Sequence, residues 1–355
     1  MRLLFVTQKL DADDPVLAQT VDVVRELAAR VDGVDVLCDA AGRHDLPGTV
    51  RVRTFGARTR LGRGLRFLRG LTAAMRSRPD AVFVHMVPLF VLLAAPLAKL
   101  RRLPLLLWYT HWHASRALRA ALPLLDTVLS VSPQSFPLET PKLLATGHAI
   151  DTRTFAPRPR RPAGRLRLLA LGRTARWKGY DTMLAALEEA VGEGLDAELE
   201  IRGPQLTADE HAFSAELAAT VAASPALRER VRIEPPLPRD ELPGLLAGAD
   251  ALLSATQSGE TVTLDKVVYE AAACGVPVLA SNDALAGFLD GVPLELRFPP
   301  RDATRLAELL LALAAAAPEV RADVGAALRQ RVVEQHSVES WADAVVAAVT
   351  AKSRQ

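Results

Sequence analysis

The sequence predicts an α/β protein of two doubly wound domains joined by a proline-rich linker. Its 355 residues exceed the size of an ordinary single core, so two domains are expected. Short, continuously apolar runs alternate with helical patterns in both halves, which is typical of parallel strands buried on both faces. Three prolines within residues 156–164 forbid a helix there and mark the linker. Ligands of such domains bind at the carboxyl ends of the strands, which we expect to face a cleft between the domains.

Eleven apolar runs predict strands. Six lie in the first half, at Arg2–Thr7, Val34–Cys38, Val50–Phe55, Ala81–His85, Pro104–Tyr109 and Thr127–Val131. Five lie in the second half, at Leu166–Leu171, Ala197–Ile201, Val231–Glu234, Ala251–Ser254 and Pro277–Ala280. After the first strand, Val16–Arg30 repeats apolar residues on one face and predicts a helix, with Asp14 as its cap and Pro15 in its first turn. A last helix is expected at Val338–Val349.

Composition excludes several classes of protein. Half of the residues are apolar and 24% are charged, so the chain can bury a large core and is neither disordered nor fibrous. The two cysteines, Cys38 and Cys274, are too few for a disulfide scaffold or a zinc site with paired thiolates. The N-terminus leads into a strand, and the longest apolar run, Met86–Ala98, is shorter than the ~20 residues that span a bilayer. We therefore expect a reduced, cytoplasmic protein.

Charge is distributed unevenly along the chain. Residues 1–155 contain 21 Lys and Arg against 13 Asp and Glu, whereas the remaining residues contain 22 against 28, so the halves should meet different partners. In the basic half, arginines recur every third residue beside leucines, at Arg60, Arg63, Arg66 and Arg69. This pattern predicts peripheral contact with an anionic membrane at its inner face, the alternative being a solvated helix weakened by three glycines. Nucleic acid is not an expected partner, since only 5% of residues are aromatic and no binding module is recognisable.

Two segments of the second half contain the candidate ligand-binding residues. In Leu168–Asp181 a turn at Gly172 follows a strand, and two cations five residues apart, Arg173 and Lys178, flank the loop before a helix. Cations near a helix N-terminus suit a diphosphate, whereas the alternative is a solvated loop. In Ser258–Asn282 a loop leads into a helix that carries Glu270 among alanines. A buried carboxylate there would need a hydroxyl or a cation, and an exposed helical glutamate is the alternative.

Together these segments resemble the retaining GT-B glycosyltransferases of family four. The second domain of that family has a Gly-Arg…Lys-Gly loop and then a helix ending Glu-Ala-x-Ala-x-Gly-x-Pro-Val. The resemblance implies a GT-B fold, with two Rossmann-like domains facing a central cleft. It implies an acceptor-side domain at 1–158, a donor-binding domain at 159–335 and a C-terminal helix at 336–355 that crosses back to the first domain.

The resemblance also implies roles for residues. Arg173 and Lys178 would bind the nucleotide diphosphate and stabilise its departure, and Glu270 would hold the ribose hydroxyls. The donor-binding set is completed by Gly172 and by Thr263, Leu264, Asp265, Lys266 and Val267. The family usually has an earlier glutamate, separated from the helical one by seven residues, that touches the donor sugar, but here that position is Val262. Backbone N–H groups of this loop are expected to take over part of that contact.

Histidines of the first half are the candidates for the acceptor side. His111 follows an apolar strand and matches a family histidine that contacts the donor sugar near the reacting carbon, with His113 as the fallback. Packing between the domains is the alternative for both. His148, in the turn 147–155, and Asp14, after the first strand, are further acceptor-side candidates, although a cap or turn role is equally open for Asp14. No cysteine or carboxylate is spaced to form a zinc site with His111 and His113.

The predicted function is transfer of a sugar from a nucleotide-diphosphate sugar to a hydroxyl acceptor with retention, as in hexosyltransferases. UDP is the default nucleotide of the resembling family, and the acceptor could be a lipid, a polysaccharide or a secondary metabolite. Neither a further cofactor nor a metal is expected, because the two cations supply the neutralising charge. Two alternatives stay open: a nucleotide-sugar epimerase of similar fold, and a catalytically inactive nucleotide-sugar binding protein.

Overall fold

A computed structural model describes residues 1–14, 16–111, 113–159, 164–257 and 265–353. The chain divides into two compact units. The first consists of Met1–Asp151 and Gln335–Gln355, and the second of Thr152–Glu334. Within the described residues, no helix is long and apolar enough to cross a membrane.

The described strands of the first unit form one parallel sheet. They are β1 (Arg2–Leu10), β2 (Gly33–Ala41), β3 (Val50–Thr54), β4 (Ala81–His85), β5 (Leu105–Trp108), β6 (Thr127–Ser130) and β7 (Leu143–Ala145). Their order is β3-β2-β1-β4-β5-β6-β7. The helices between them are α1 (Gln19–Ala28), α2 (Arg60–Ala74), α3 (Pro88–Leu100) and α4 (Arg116–Ala121). Both faces of this sheet are buried, because Leu4 and Val6 of β1 enter one core cluster while Leu3 and Phe5 enter the other.

The second unit repeats this plan with a smaller sheet. Its described strands are β8 (Leu166–Leu171), β9 (Ala197–Arg202), β10 (Val231–Glu234), β11 (Ala251–Ser254) and β12 (Val278–Ala280). They are parallel, in the order β10-β9-β8-β11-β12. The helices are α5 (Tyr180–Gly192), α6 (Ala208–Ala223), α7 (Pro225–Arg228), α8 (Leu242–Gly248), α9 (Lys266–Ala273), α10 (Ala286–Leu289), α11 (Ala303–Ala315) and α12 (Pro318–Gln335).

The last helix, α13 (Val338–Ser353), belongs to the first unit. Trp341, Val345 and Val349 are fully buried and share a core cluster with β1 and β4. The indole of Trp341 packs edge-on against Phe83, with ring centroids 5.7 Å apart. This helix therefore supplies part of the core beneath the first sheet.

All eleven predicted strands are present, so the α/β prediction of two parallel sheets is confirmed. The sequence pattern did not indicate β7, which has only three residues. The predicted helix after β1 was placed too early, since α1 begins at Gln19 and Ala18 is its cap residue. Asp14 instead closes the preceding turn, where its carboxylate accepts the backbone N–H groups of Val16 and Leu17 at 2.9 and 2.7 Å. The predicted first-turn role of Pro15 lies outside the described residues.

Helix α2 forms despite its three glycines. Its cap is Thr59, whose hydroxyl accepts the N–H of Gly62 at 3.1 Å. At Gly70 a Cβ atom would lie 2.6 Å from Cδ1 of Leu37, so this glycine lets the helix approach β2 closely. Tertiary packing thus outweighs the low helix propensity of glycine.

Candidate functional site

The loop between β8 and α5 depends on two glycines in the left-handed region. Gly172 has φ +139° and Gly179 has φ +67°, which L side chains adopt only with strain. A Cβ atom at Gly179 would lie 2.2 Å from the carbonyl oxygen of Ala255, the residue after β11. The loop therefore packs closely against the end of the neighbouring strand. This edge, at the carboxyl ends of β8 and β11, is where parallel α/β sheets bind ligands.

Lys178 is a buried cation at this edge. Its Nζ lies 2.5 Å from Oδ1 of Asp265, and it also lies 4.5 Å from the ring centroid of Trp177. The other carboxylate oxygen of Asp265 accepts the hydroxyl of Thr256 at 2.9 Å. The two side chains of the ion pair are only 10% and 15% exposed. The loop after β8, the segment after β11 and the start of α9 thus meet at one fixed positive charge.

Tyr180 stiffens the same loop. Its hydroxyl donates to the carbonyl oxygen of Gly172 at 2.8 Å, across the loop that contains both proposed cations. Burial raises the pKa of Tyr180 far above its ordinary value, with a smaller contribution from the charge of Asp265. This tyrosine therefore stays a neutral donor and holds the turn closed.

Arg173 points to a different element of the same unit. Its guanidinium forms an ion pair with Glu210 of α6, a carboxylate that is almost fully buried. Glu210 also accepts the backbone N–H of Leu206 at 2.5 Å, so its position is fixed by the loop before α6. The arginine side chain itself is 45% exposed, so it is accessible from solvent.

Glu270 is buried, so the alternative of an exposed helical glutamate is wrong. Its carboxylate lies 2.9 Å from Nζ of Lys266, one turn earlier in α9, and 3.3 Å from Nη1 of Arg239. Burial alone would raise the pKa of Glu270, but the two cations outweigh it and hold this pKa below its ordinary value. Glu270 is therefore an ionised, oriented acceptor of hydrogen bonds.

Sequence reasoning missed Arg239, which follows β10 in a proline-rich loop. Its guanidinium lies over the ring of Phe155, 5.5 Å from the ring centroid, as well as beside Glu270. No motif surrounds this arginine. The only signal was the buried carboxylate itself, which requires a cation in the folded protein.

The predicted donor loop is described only in part. Thr263 and Leu264, together with Val262, where the family glutamate is missing, lie outside the described residues. Asp265 is the cap residue of α9 and Lys266 is its first residue, but the carboxylate of Asp265 binds Lys178 and leaves the helix N–H groups uncapped by a side chain. Val267, the second residue of the helix, makes no polar side-chain contact. The N-terminal end of α9 therefore lies beside the buried lysine.

His111 and His113 lie just after β5, both on the surface of the first unit. Nδ1 of His111 accepts the backbone N–H of His113 at 3.0 Å, which fixes its tautomer with the proton on Nε2. Partial burial, and to a smaller extent the neighbouring His113, lower the pKa of His111. His111 is thus a neutral donor at a strand end, and the backbone N–H of His113 belongs to the same turn.

His148 and Asp14 take structural positions in the first unit. His148 is buried, and its carbonyl oxygen and that of Ala149 both accept the side-chain amide of Gln19 at 2.5 Å. Its ring lies 6.1 Å from that of His336. Asp14 pairs with Lys9 at 2.8 Å in addition to its two backbone bonds. The turn role that the sequence left open for Asp14 is therefore observed, and its acceptor-side role stays a prediction.

A further histidine, His85, was not singled out from the sequence. It is buried at the carboxyl end of β4, where its Nδ1 lies 3.0 Å from the hydroxyl of Thr7 on the adjacent strand β1. Burial lowers the pKa of His85 to about 4, so it is neutral at physiological pH. Its place at the strand ends was visible in the sequence, but its burial was not.

We searched the described parts of the chain for side chains that could bind a metal ion together. Within these ranges, no three His, Cys, Asp or Glu side chains lie close enough together to hold a metal ion. Cys38 and Cys274 are free and buried, in different units. The positive charge of the second unit comes from Lys and Arg side chains.

Comparison with known proteins adds a family match for the second unit. Residues 165–316 match the family model described as Glycosyl transferases group 1. This segment extends from just before β8 to just after α11, and so contains Arg173, Lys178, Asp265 and Glu270. No curated protein matches the sequence.

Solved structures share the fold over the whole chain. The Anabaena protein HepE in complex with UDP and glucose is 17% identical, with 99% of each chain covered and a TM-score of 0.75. Sucrose-phosphate synthase from Thermosynechococcus elongatus is 17% identical, with 99% of each chain covered and a TM-score of 0.72. A glycosyltransferase from Rickettsia africae is 13% identical, with 98% of each chain covered and a TM-score of 0.77. The chain therefore has the GT-B fold of two Rossmann-like units, which confirms the predicted fold class.

Proposed function

We propose that this protein is a retaining glycosyltransferase that moves a sugar from a nucleotide-diphosphate sugar to a hydroxyl acceptor. The second unit would bind the donor and the first unit the acceptor. The observation that carries the proposal is the buried Lys178 at the carboxyl end of β8, beside the start of α9. A fixed cation and the N–H groups of a helix N-terminus are the groups that stabilise a departing diphosphate.

In this proposal the leaving group is held without a metal. Lys178 and the exposed part of Arg173 neutralise the charge that develops on the diphosphate as the bond from the anomeric carbon breaks. The acceptor hydroxyl attacks from the same face, and its proton passes to a phosphate oxygen. Gly172 leaves room for the diphosphate to approach the backbone, because it carries no side chain.

Glu270 would select the nucleotide through its ribose. It is ionised and fixed between Lys266 and Arg239, so it can accept hydrogen bonds from two adjacent hydroxyls without reorganising. We propose UDP as the nucleotide, because UDP and glucose occupy the structure of HepE, which shares this fold. Backbone groups near Thr263 and Leu264 would contact the donor sugar in place of the glutamate missing at Val262.

Histidines of the first unit complete the proposal. His111 would donate from Nε2 to the sugar near the reacting carbon, since its Nδ1 is occupied as an acceptor. His113 and His148 are assigned to the acceptor side only as lining groups. For the acceptor, we propose only that it is a compound with a free hydroxyl group.

Two measurements test the function. In a thermal-shift panel of nucleoside diphosphates, the diphosphate of one base should stabilise the folded protein more than the others do. At ligand concentrations far above Kd, this stabilisation should reach a few kcal/mol. Incubation with the matching nucleotide sugar and a panel of acceptors should yield a glycoside whose anomeric configuration, read by NMR, equals that of the donor. An inverted product would reject retention. An isomerised nucleotide sugar formed without acceptor would identify an epimerase, and binding without turnover would identify an inactive binding protein.

A further inference from the structure

Helix α2 of the first unit has apolar residues on two sides, one buried and one exposed. One side packs into the core through Phe67, Leu71 and Ala74. The other carries Leu61, Leu65 and Leu68, which are 77%, 51% and 46% exposed. These three leucines are four and three residues apart and so form a single stripe along the helix. Single exposed leucines are ordinary, but a stripe of three on one helix marks an interaction surface.

Helix α2 also carries four arginines, which divide into two kinds. Arg63 is engaged by the protein through Asp39 at 3.2 Å, and Arg66 donates to the carbonyl oxygen of Gly56 at 2.5 Å. Arg60 and Arg69 are exposed, and in the part of the chain that the structure describes their side chains form neither an ion pair nor a hydrogen bond. Two guanidinium groups next to the stripe are thus available to an external anion.

The surrounding sequence strengthens this charge. Residues 46–125 contain 14 Lys and Arg but a single acidic residue, Asp80. Helix α2 itself contains no Asp or Glu. A partner for the leucine stripe must therefore be anionic as well as apolar.

A second copy of the chain does not meet this requirement. A two-fold interface would place α2 against α2 and bring the arginines of both copies face to face. Three leucine side chains also cover much less than the about 800 Å² per partner of a stable interface. An anionic lipid surface satisfies both conditions, because leucines enter the boundary of the acyl chains while guanidinium groups bind phosphates.

We propose that α2 docks the first unit on an anionic bilayer. Leu61, Leu65 and Leu68 insert below the headgroups, and Arg60 and Arg69 bind lipid phosphates. This inference is independent of the proposed function, since it requires neither donor nor turnover. It corrects the sequence pattern in one respect: leucines and two of the four arginines form the contact, while Arg63 and Arg66 hold α2 to its own unit.

The test is co-sedimentation of the full chain with vesicles. The wild-type protein should sediment with phosphatidylcholine vesicles that contain phosphatidylglycerol, and weakly with phosphatidylcholine alone. The triple variant Leu61→Gln/Leu65→Gln/Leu68→Gln should lose at least about tenfold in affinity, because it keeps the charge but not the apolar contact. The variant Arg60→Glu/Arg69→Glu should lose about thirtyfold or more in affinity, because two favourable contacts with lipid phosphates are lost and two repelled carboxylates replace them.

Matched controls locate the effect on α2. Leu206→Gln changes an equally exposed leucine of the second unit, and Arg116→Glu/Arg119→Glu makes the same charge change on α4. Both controls should bind vesicles like the wild type, and circular dichroism should show all variants folded. The proposal is overturned if the wild type ignores anionic vesicles, if the triple leucine variant binds normally, or if the α4 variant loses as much as the α2 variant. A dimer that the leucine substitutions dissociate, without vesicle binding, would assign the stripe to a second copy instead.

Discussion

The two units carry their charges in different ways. In the second unit each cation of the candidate site already has a carboxylate partner: Lys178 has Asp265, Arg173 has Glu210, and Lys266 shares Glu270 with Arg239. In the first unit Arg60 and Arg69, on the helix that carries the leucine stripe, face solvent without a carboxylate partner among the described residues. Paired charges are fixed before a ligand arrives, whereas open charges on a surface suit a partner that needs no single geometry. The same side-chain chemistry would thus serve the proposed site in one unit and the proposed surface in the other.

The largest effect should follow from Lys178→Ala. Loss of a preorganised cation at the leaving group should lower the rate of sugar transfer by about 10²–10³-fold. The control is Arg176→Ala, in the same loop, which removes an exposed arginine paired with Glu216. It should leave the rate within a few fold of wild type. Steady-state kinetics with the identified donor measures the transfer rate of both variants. If both rates fall equally, the loop contributes only its total positive charge, and Lys178 has no specific role.

Glu270→Gln should weaken donor binding by about 10–100-fold, because a hydrogen bond to a charged acceptor contributes about 1.5–3 kcal/mol. The loss should be seen with UDP by calorimetry. It should be absent with 2′,3′-dideoxyuridine diphosphate, which has no ribose hydroxyls to donate. If the variant binds both ligands more weakly by the same factor, Glu270 holds Lys266 and Arg239 in place and does not bind the ribose.

Acid should destabilise the first unit more than the second. Six of the seven histidines lie in the first unit, and burial lowers the pKa of His85 and of His336 to about 4 each. The unfolded chain takes up these protons below its ordinary histidine pKa near 6.5, whereas the folded unit does so only near 4. Stability should therefore fall between these values by about 1.4 kcal/mol per pH unit for each histidine.

Urea unfolding at several pH values measures this slope through Trp108 and Trp341, which lie in the core of the first unit. In His336→Gln, the free energy of unfolding should fall less steeply with pH, by about 1.4 kcal/mol per pH unit, because one of the two buried histidines is gone. A slope that does not change in this variant would show that other groups take up the protons.

The smallest effect is expected from Asp265→Asn. This change removes the carboxylate that competes with a phosphate for Lys178, so the affinity for UDP should rise by about two- to fivefold. Glu216→Gln, which frees the exposed Arg176 in the same way, should change the affinity little. Weaker UDP binding in Asp265→Asn would mean that Asp265 is needed to orient the lysine.

The sequence predicted the elements of the second unit better than their contacts. A strand, a glycine turn and a lysine follow one another in Leu168–Lys178, so local pattern was sufficient to place Lys178 at the strand end. The partners Glu210 and Arg239 are 37 and 31 residues away from Arg173 and Glu270, and no periodicity connects such pairs. Distant contacts of this kind arise only from the packing of the whole unit.

In the first unit the pattern gave the helix α2 but not its orientation. The leucines at 61, 65, 68 and 71 form one apolar set with Phe67 in the sequence, yet the structure turns Phe67 and Leu71 inward and leaves Leu61, Leu65 and Leu68 outside. A helix with two apolar sides does not specify from sequence which side is buried. The buried side of α2 is the one on which Gly70 approaches β2 closely, and this approach exists only in the folded unit.

We propose that Lys178, together with Arg173 of the same loop, holds the phosphates of the donor. The most direct measurement compares the affinities of uridine, UMP and UDP for the wild type and for Lys178→Ala by calorimetry. Affinity should rise steeply with each phosphate in the wild type, and most of this rise should disappear in the variant. A wild type that binds uridine as well as UDP, or a variant that keeps the full rise, would contradict it.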